Sequence, residues 1–198
     1  MKRGRFILFE GPDRVGKTTQ AALLAQAFRE RGEDVVERRF PDRTSAVTGK
    51  LIDEYLRTST EMDEHALHLL FSANRWEVLA DMERELAAGK TLIVDRYSYS
   101  GIAYSMAKGL SQTWCQSADQ GLLVPDVVVF LRASAEQLQQ RPGYGDERYE
   151  RADFQGAVMT SYAKIAGAGW KVVDASGSKE RIHERVLSLF FFMPTTIK

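Results

Sequence analysis

The segment GPDRVGKT, Gly11–Thr18, sets two glycines, a lysine and a threonine at the spacing of a phosphate-cradling loop. Gly11 and Gly16 let the chain curl so that successive backbone N–H groups turn inward. The start of a following helix adds partial positive charge where a phosphate would lie. Lys17 is placed to reach the β- and γ-phosphates of a nucleoside triphosphate, and the Thr18 hydroxyl to meet Mg²⁺. Asp95, ending a later strand, would give a carboxylate to the same metal, partly through its waters. The expected contacts to ATP in this loop are Gly11, Val15, Gly16, Lys17, Thr18 and Thr19. A glycine-rich turn that binds nothing is the plain alternative, but it does not account for a position between strand-like FILFE and a helical pattern. No NKxD guanine-reading sequence occurs, which argues against a GTP switch. What remains is a small kinase, whose chemistry asks for arginines around the transferred phosphoryl group and a second site for its acceptor.

Those groups need a frame. Short β-like runs alternate with longer helical patterns, with no repeat, linker or low-complexity tract, so one α/β domain over residues 1–198 is expected. Strands are predicted at Arg5–Glu10, Asp34–Phe40, Thr91–Asp95, Val127–Leu131 and Lys171–Asp174. Between them the spacing predicts helices over Lys17–Arg31, a short one through Val47, Leu51, Ile52, Tyr55 and Leu56, and a long one over Met62–Ala88. Further helices are predicted at Ser98–Ala107, Ala135–Gln140, Ala152–Ala166 and Lys179–Phe192. The polar stretch RPGYGDERYER, Arg141–Arg151, reads as a mobile lid. Five strands separated by helices predict a parallel, doubly wound sheet with helices on both faces.

The 27 Lys plus Arg balance 27 Asp plus Glu, so no overall field would draw the chain to nucleic acid or an acidic membrane. Any anionic ligand must be held by a local cluster. The apolar run Phe6–Phe9 is too short for a signal segment, and Val127–Leu131 and Leu189–Met193 are too short to cross a bilayer. The single Cys115 cannot form an internal disulfide; a cytoplasmic setting is expected. The terminal FFFMPTTIK is read as a last helix docked on the core or a partner. His65 and His68 are spaced like a metal pair, but no third ligand accompanies them.

Phe71 and Arg75 are four apart on the long helical pattern, so they share a face: an aromatic surface beside a donor fork, suited to a base with acceptor atoms. The fork alone does not exclude guanine. Arg43 and Arg96 follow two strands, at the end of the sheet where ligands collect, and are placed to hold a monophosphate.

Together FEGPDRVGKTTQ, FPDR (Phe40–Arg43), LLFSANRWE (Leu69–Glu77), DRYSYSGIAY (Asp95–Tyr104) and GYGDERYE (Gly143–Glu150), in collinear order, resemble the thymidylate kinase family of P-loop nucleoside monophosphate kinases. The resemblance implies the parallel five-stranded fold with a short lid, transfer of phosphoryl from ATP to dTMP with Mg²⁺, and a homodimer. It implies that Asp13 accepts from the dTMP 3′-hydroxyl, that Arg14 touches the phosphoryl in flight, and that Arg96 bridges acceptor and transferred phosphate. Phe71 would stack on thymine, Arg75 donate to its O4, and Phe40 pack near sugar or base. Ser100 and Gly101 would border the base, Tyr104 exclude a 2′-hydroxyl, and Tyr149 and Gln155 approach the thymine end. Arg141 and Arg148 would close on ATP, with Ser176 and Gly177 near the adenine. A broader kinase that also uses dUMP or dGMP, and a nucleotide-binding regulator without turnover, stay open at this point.

Overall fold

A buried strand needs apolar cover on both faces, because its side chains alternate from one to the other. In the computed structural model, which describes residues 2–57, 61–141 and 148–191, β1 (Phe6–Glu10) is buried along its whole length. It is the centre of a parallel sheet in the order β2-β3-β1-β4-β5, with β2 Val35–Arg39, β3 Thr91–Asp95, β4 Val127–Arg132 and β5 Lys171–Asp174. Ile7 and Phe9 turn to one face with Ile93, Val129 and Leu131, where Leu24 and Phe28 of α1 (Lys17–Arg29) and Ile182 and Val186 of α9 (Lys179–Leu187) cover them. Phe6 and Leu8 turn to the other with Leu92 and Val94, under Met82 and Leu86. The doubly wound sheet expected from the sequence is the one observed.

The long helix expected over Met62–Ala88 is two helices, α3 (Glu64–Trp76) and α4 (Leu79–Ala87). Asp63 caps α3 by accepting from the N–H groups of His65 and Ala66. The helix stops where the Glu77 carboxylate accepts from the backbone and hydroxyl of Thr48, and Val78 leaves the helical region at φ −109°. The preceding α2 covers Gly49–Arg57; Val47 lies before it and, like Leu51, is exposed instead of belonging to its buried face. After α5 (Ser98–Ala107) comes α6 (Gln112–Ala118), which sequence periodicity did not reveal. Then follow α7 (Ala135–Gln139), α8 (Ala152–Ile165) and α9 (Lys179–Leu187), the last shorter than its expected extent because the chain turns at Ser188–Phe190. Of the expected lid, residues 142–147 lie outside the described residues, as do 192–198 of the apolar tail. Phe190 and Phe191, where that tail begins, pack on Phe28.

Parallel pairing sets the C-terminal ends of β1, β3 and β2 side by side. Arg96 N–H donates to the Phe9 carbonyl, and Phe40 N–H to that of Asp95. Glu10, fully buried at the end of β1, binds this corner together. Its carboxylate accepts from the N–H groups of Tyr97 and Ser100, the Ser100 hydroxyl at 2.6 Å and the Tyr162 hydroxyl at 2.8 Å. Tyr97 offers no side-chain cap to α5, so Glu10 supplies from another strand the acceptor that this helix start requires. Glu10→Ala would strand four donors and should lower unfolding free energy by on the order of 4 kcal/mol, read by urea denaturation. A wild-type midpoint would show that the corner is held by something else.

Candidate active site

The loop after β1 is tight because it has a floor. A Cβ on Gly11 would come within 2.4 Å of the Leu131 carbonyl oxygen, so no larger residue fits there, and Gly16 takes φ 99° just before α1. The only non-glycine residues with positive φ among the described residues are Arg14 (58°) and Arg96 (67°). Such conformations cost about 1–3 kcal/mol and gather at functional sites. Both arginines border a cavity of about 530 Å³ at the carboxyl ends of the strands.

Eight Lys and Arg side chains line this cavity against three Asp and Glu, so the neutral chain encloses a positive cleft. Arg14, Lys17, Arg43, Arg75 and Arg96 all reach it, as the even overall charge balance concealed. Each has an oxygen close by. Arg14 Nε donates to Glu150 Oε1 at 2.6 Å, and Lys17 Nζ donates to the Pro12 carbonyl at 2.6 Å. Arg43 donates to Asp53 at 3.3 Å. Arg96 is paired with Asp13, and also donates to the Ser100 hydroxyl at 3.0 Å. Burial pushes the Lys17 ammonium down to about 7, Arg96 adding to the effect and Asp95, Asp13 and Glu10 opposing it. Burial raises the Asp13 carboxyl, but the charges of Arg96 and Lys17, with hydrogen bonds from Tyr104 and Gln155, outweigh it and hold Asp13 below the ordinary value. Asp13 is therefore an ionised acceptor.

At one end, Thr18 Oγ1 donates to Asp95 Oδ2 at 2.5 Å, while Asp95 Oδ1 is buried without a hydrogen-bond partner in the described residues. A carboxylate with an open oxygen beside a hydroxyl fits a hard cation that takes its other ligands from water and phosphate. Arg141 spans this end, donating to the carbonyls of Arg14 at 2.8 Å and Ala175 at 3.0 Å. Ser176 and Gly177 follow that carbonyl but do not border the cavity. Nor do Gly11 or Val15, whose side chain is in the core, while Thr19 does.

At the other end Phe40, Phe71, Arg75, Ser100, Gly101 and Tyr104 are brought together. The Tyr104 hydroxyl donates to Asp13 Oδ2 at 2.8 Å, with the Arg96 guanidinium 5.3 Å from its ring centre. Tyr149 borders the cavity and stacks on Phe154. Gln155 stays behind the wall, donating from Nε2 to Asp13 and to the Tyr149 carbonyl. Arg148 is turned away, over the Tyr55 ring.

Several positioning residues escaped sequence reasoning. Asn74, fully buried between Phe71 and Arg75, accepts from the Asp42 N–H at 2.7 Å and donates to the Asp42 carbonyl and the Thr48 hydroxyl, so it fixes the loop that carries Arg43. Its signal was a polar residue one place before an expected site residue. Glu150 and Asp119, which hold Arg14 and Arg75, lie far from their partners in sequence and gave no local signal. Lys108 donates to Glu64 at 2.6 Å and to the Tyr149 hydroxyl at 2.7 Å. His68 engages Ser105 and the Cys115 carbonyl through its two ring nitrogens, and His65 meets Trp114 edge-on, so the two do not form a pair.

Comparison with known proteins gives the same direction. The family model described as thymidylate kinase matches residues 9–186. The chain is 47% identical to the thymidylate kinase of Arabidopsis thaliana over 93% of its length and 70% of that protein, and 44% identical to the one from Dictyostelium discoideum, over 96% and 86%. A solved structure of thymidylate kinase from Candida albicans, reported to reveal the origin of broad substrate specificity, superposes with a TM-score of 0.84 at 36% identity, covering 94% of this chain and 91% of that one. With its phosphate loop, its paired strand-end arginines and its aromatic acceptor end in one cleft, this chain belongs to the thymidylate kinase family.

Proposed function

We propose that the protein transfers the γ-phosphoryl group of ATP to dTMP, forming ADP and dTDP. The observation that carries this is a single cleft with a phosphate loop at one end and an aromatic, arginine-bearing pocket at the other, with Arg14 and Arg96 between them. The attacking atom is a phosphate oxygen of dTMP, already anionic, so no general base is needed. The obstacle is repulsion between two anions, and the arginines answer it.

In this reading Lys17 leaves the Pro12 carbonyl for the β- and γ-phosphates, and the loop N–H groups bind the same oxygens. Arg43 and Arg96 hold the acceptor phosphate. Asp13 accepts from the 3′-hydroxyl, and Tyr104 packs on the sugar where a 2′-hydroxyl would need room. Phe71 stacks on the base and Arg75 donates to it. Mg²⁺ would be held by Thr18 and Asp95 and, when bound, neutralises charge on the transferring phosphates. Arg14 exchanges the Glu150 carboxylate for the phosphoryl oxygens. Ser176, Gly177 and Arg141 are assigned to the adenine end, and Gln155 to holding Asp13 and Tyr149 in place.

We assign a homodimer as well, supported by Leu69 and Trp76, seven apart on one face of α3 and both part-exposed. Among the described residues no helix is long and apolar enough to cross a membrane. One buried thiol, Cys115, suits the cytoplasm, and the even charge balance gives nucleic acid no purchase.

Measured side by side with ATP and Mg²⁺, kcat/KM should be highest for dTMP, ahead of dUMP and dGMP. Binding of monophosphates with no transfer to any of them would favour the regulator reading. Arg14→Ala should lower kcat by about 10²-fold or more with a smaller change in KM, since arginine fingers contribute up to about 10⁵; unchanged turnover would sink the role given to Arg14. Sedimentation should give twice the 22.3 kDa chain mass; a monomer alone would remove the dimer.

A further inference from the structure

Arg75 is buried on α3, and its guanidinium is held on two sides. Nε and Nη2 donate to Asp119 Oδ1 at 3.2 and 2.7 Å, and Nη2 also reaches Oδ2 at 2.8 Å. Asp119, at the end of α6, is itself buried, and Ser72 Oγ lies 2.7 Å from its Oδ1. Against its Nη1 and Nη2 sits Gly101, where a Cβ would come within 2.9 Å of both. Nη1 is left with no hydrogen-bond partner among the described residues, on a side chain that lines the cavity.

A guanidinium can meet an edge with two acceptors by a pair of parallel N–H groups, using either Nε with Nη2 or Nη1 with Nη2. Guanine presents such an edge in O6 and N7; thymine presents O4 alone. Asp119 occupies the first fork, accepting from Nε and from Nη2, and Gly101 crowds the side of the second, against Nη1 and Nη2. We propose that Asp119 is a specificity-determining positioning residue, which holds two of the three nitrogens of Arg75 and leaves one for the acceptor base. A free arginine would serve both bases; this one favours the pyrimidine. The inference rests on the reading of Arg75 as the arginine that meets the base.

The test is kcat/KM for dTMP and dGMP in the wild type, Asp119→Asn, Ser72→Ala and Arg75→Ala, with circular dichroism confirming each fold. The asparagine keeps the shape of Asp119 but loses its charge and sets an amide NH₂, a donor, where one of the two carboxylate oxygens accepts from Arg75. It should raise the dGMP to dTMP ratio about tenfold, chiefly through the two KM values. If both substrates weaken in parallel and the ratio stays put, Asp119 only supports the fold and the proposal is overturned. Should Asp119→Asn not fold, Ser72→Ala loosens Asp119 while keeping its charge, and the ratio should move the same way by about threefold. An unmoved ratio there overturns the proposal equally. Arg75→Ala separates the underlying reading: if it leaves KM for dTMP unchanged, Arg75 does not meet the base, whatever the Asp119 variants do.

Discussion

The geometry of the cleft depends on one buried carboxylate. Glu10 ends the central strand where water cannot reach it, and burial raises its carboxyl above the ordinary value, although Ser100, Arg96, Tyr162 and Lys17 all act the other way. A group so costly to bury persists because four donors converge on it. Those donors come from the first turn of α5 and from α8, so satisfying Glu10 also sets where α5 begins. Arg96 lies two residues before that start, in a left-handed conformation that the surrounding bonds impose. Ser100 and Gly101 follow one turn later on the same helix. The aromatic end of the cleft is therefore positioned by a residue that does not line it.

A second regularity concerns the cations. Buried positive charges unpaired in a dry cleft would destabilise the fold, and here each is given an oxygen of the protein: Glu150 for Arg14, Asp13 for Arg96, Asp119 for Arg75, and a carbonyl for Lys17. The partners differ in kind. Asp119 is buried with Arg75 as a structural pair. Arg14 is one-third exposed, and the carbonyl under Lys17 is uncharged, so these contacts compete less with phosphate. The difference separates an arginine locked in a buried pair from groups whose partners are more exposed or uncharged.

Local pattern carried much of this. The strands and the phosphate loop were legible because buried strands and glycine turns have short-range signatures, and β3, α5 and β5 end at the expected residues. The break between α3 and α4 was not, since Glu77 has good helix propensity and the helix stops for a tertiary reason, its bonds to Thr48. α6 is short, with one buried residue, Cys115, and so has no apolar stripe to read. Among candidate site residues, Lys17, Thr18, Arg43, Phe71, Arg75 and Arg96 could be named from type and spacing, and Asp13, Arg14 and Tyr104 only from the family resemblance. Those that hold them could not: an Asp or Glu that pairs with a distant arginine looks in sequence like any solvated acid.

The floor of the phosphate loop has a temporal meaning. Gly11 rests on the carbonyl of Leu131, and β1 pairs on one side with β3, Phe6 opposite Leu92, and on the other with β4, Ile7 opposite Val127. The loop is synthesised before the backbone that shapes it, which comes more than a hundred residues later. A growing chain that has passed the loop and α1 carries the nucleotide-binding sequence without its floor. Contacts of such long range close slowly, so the loop gains its shape only after β4 has been made.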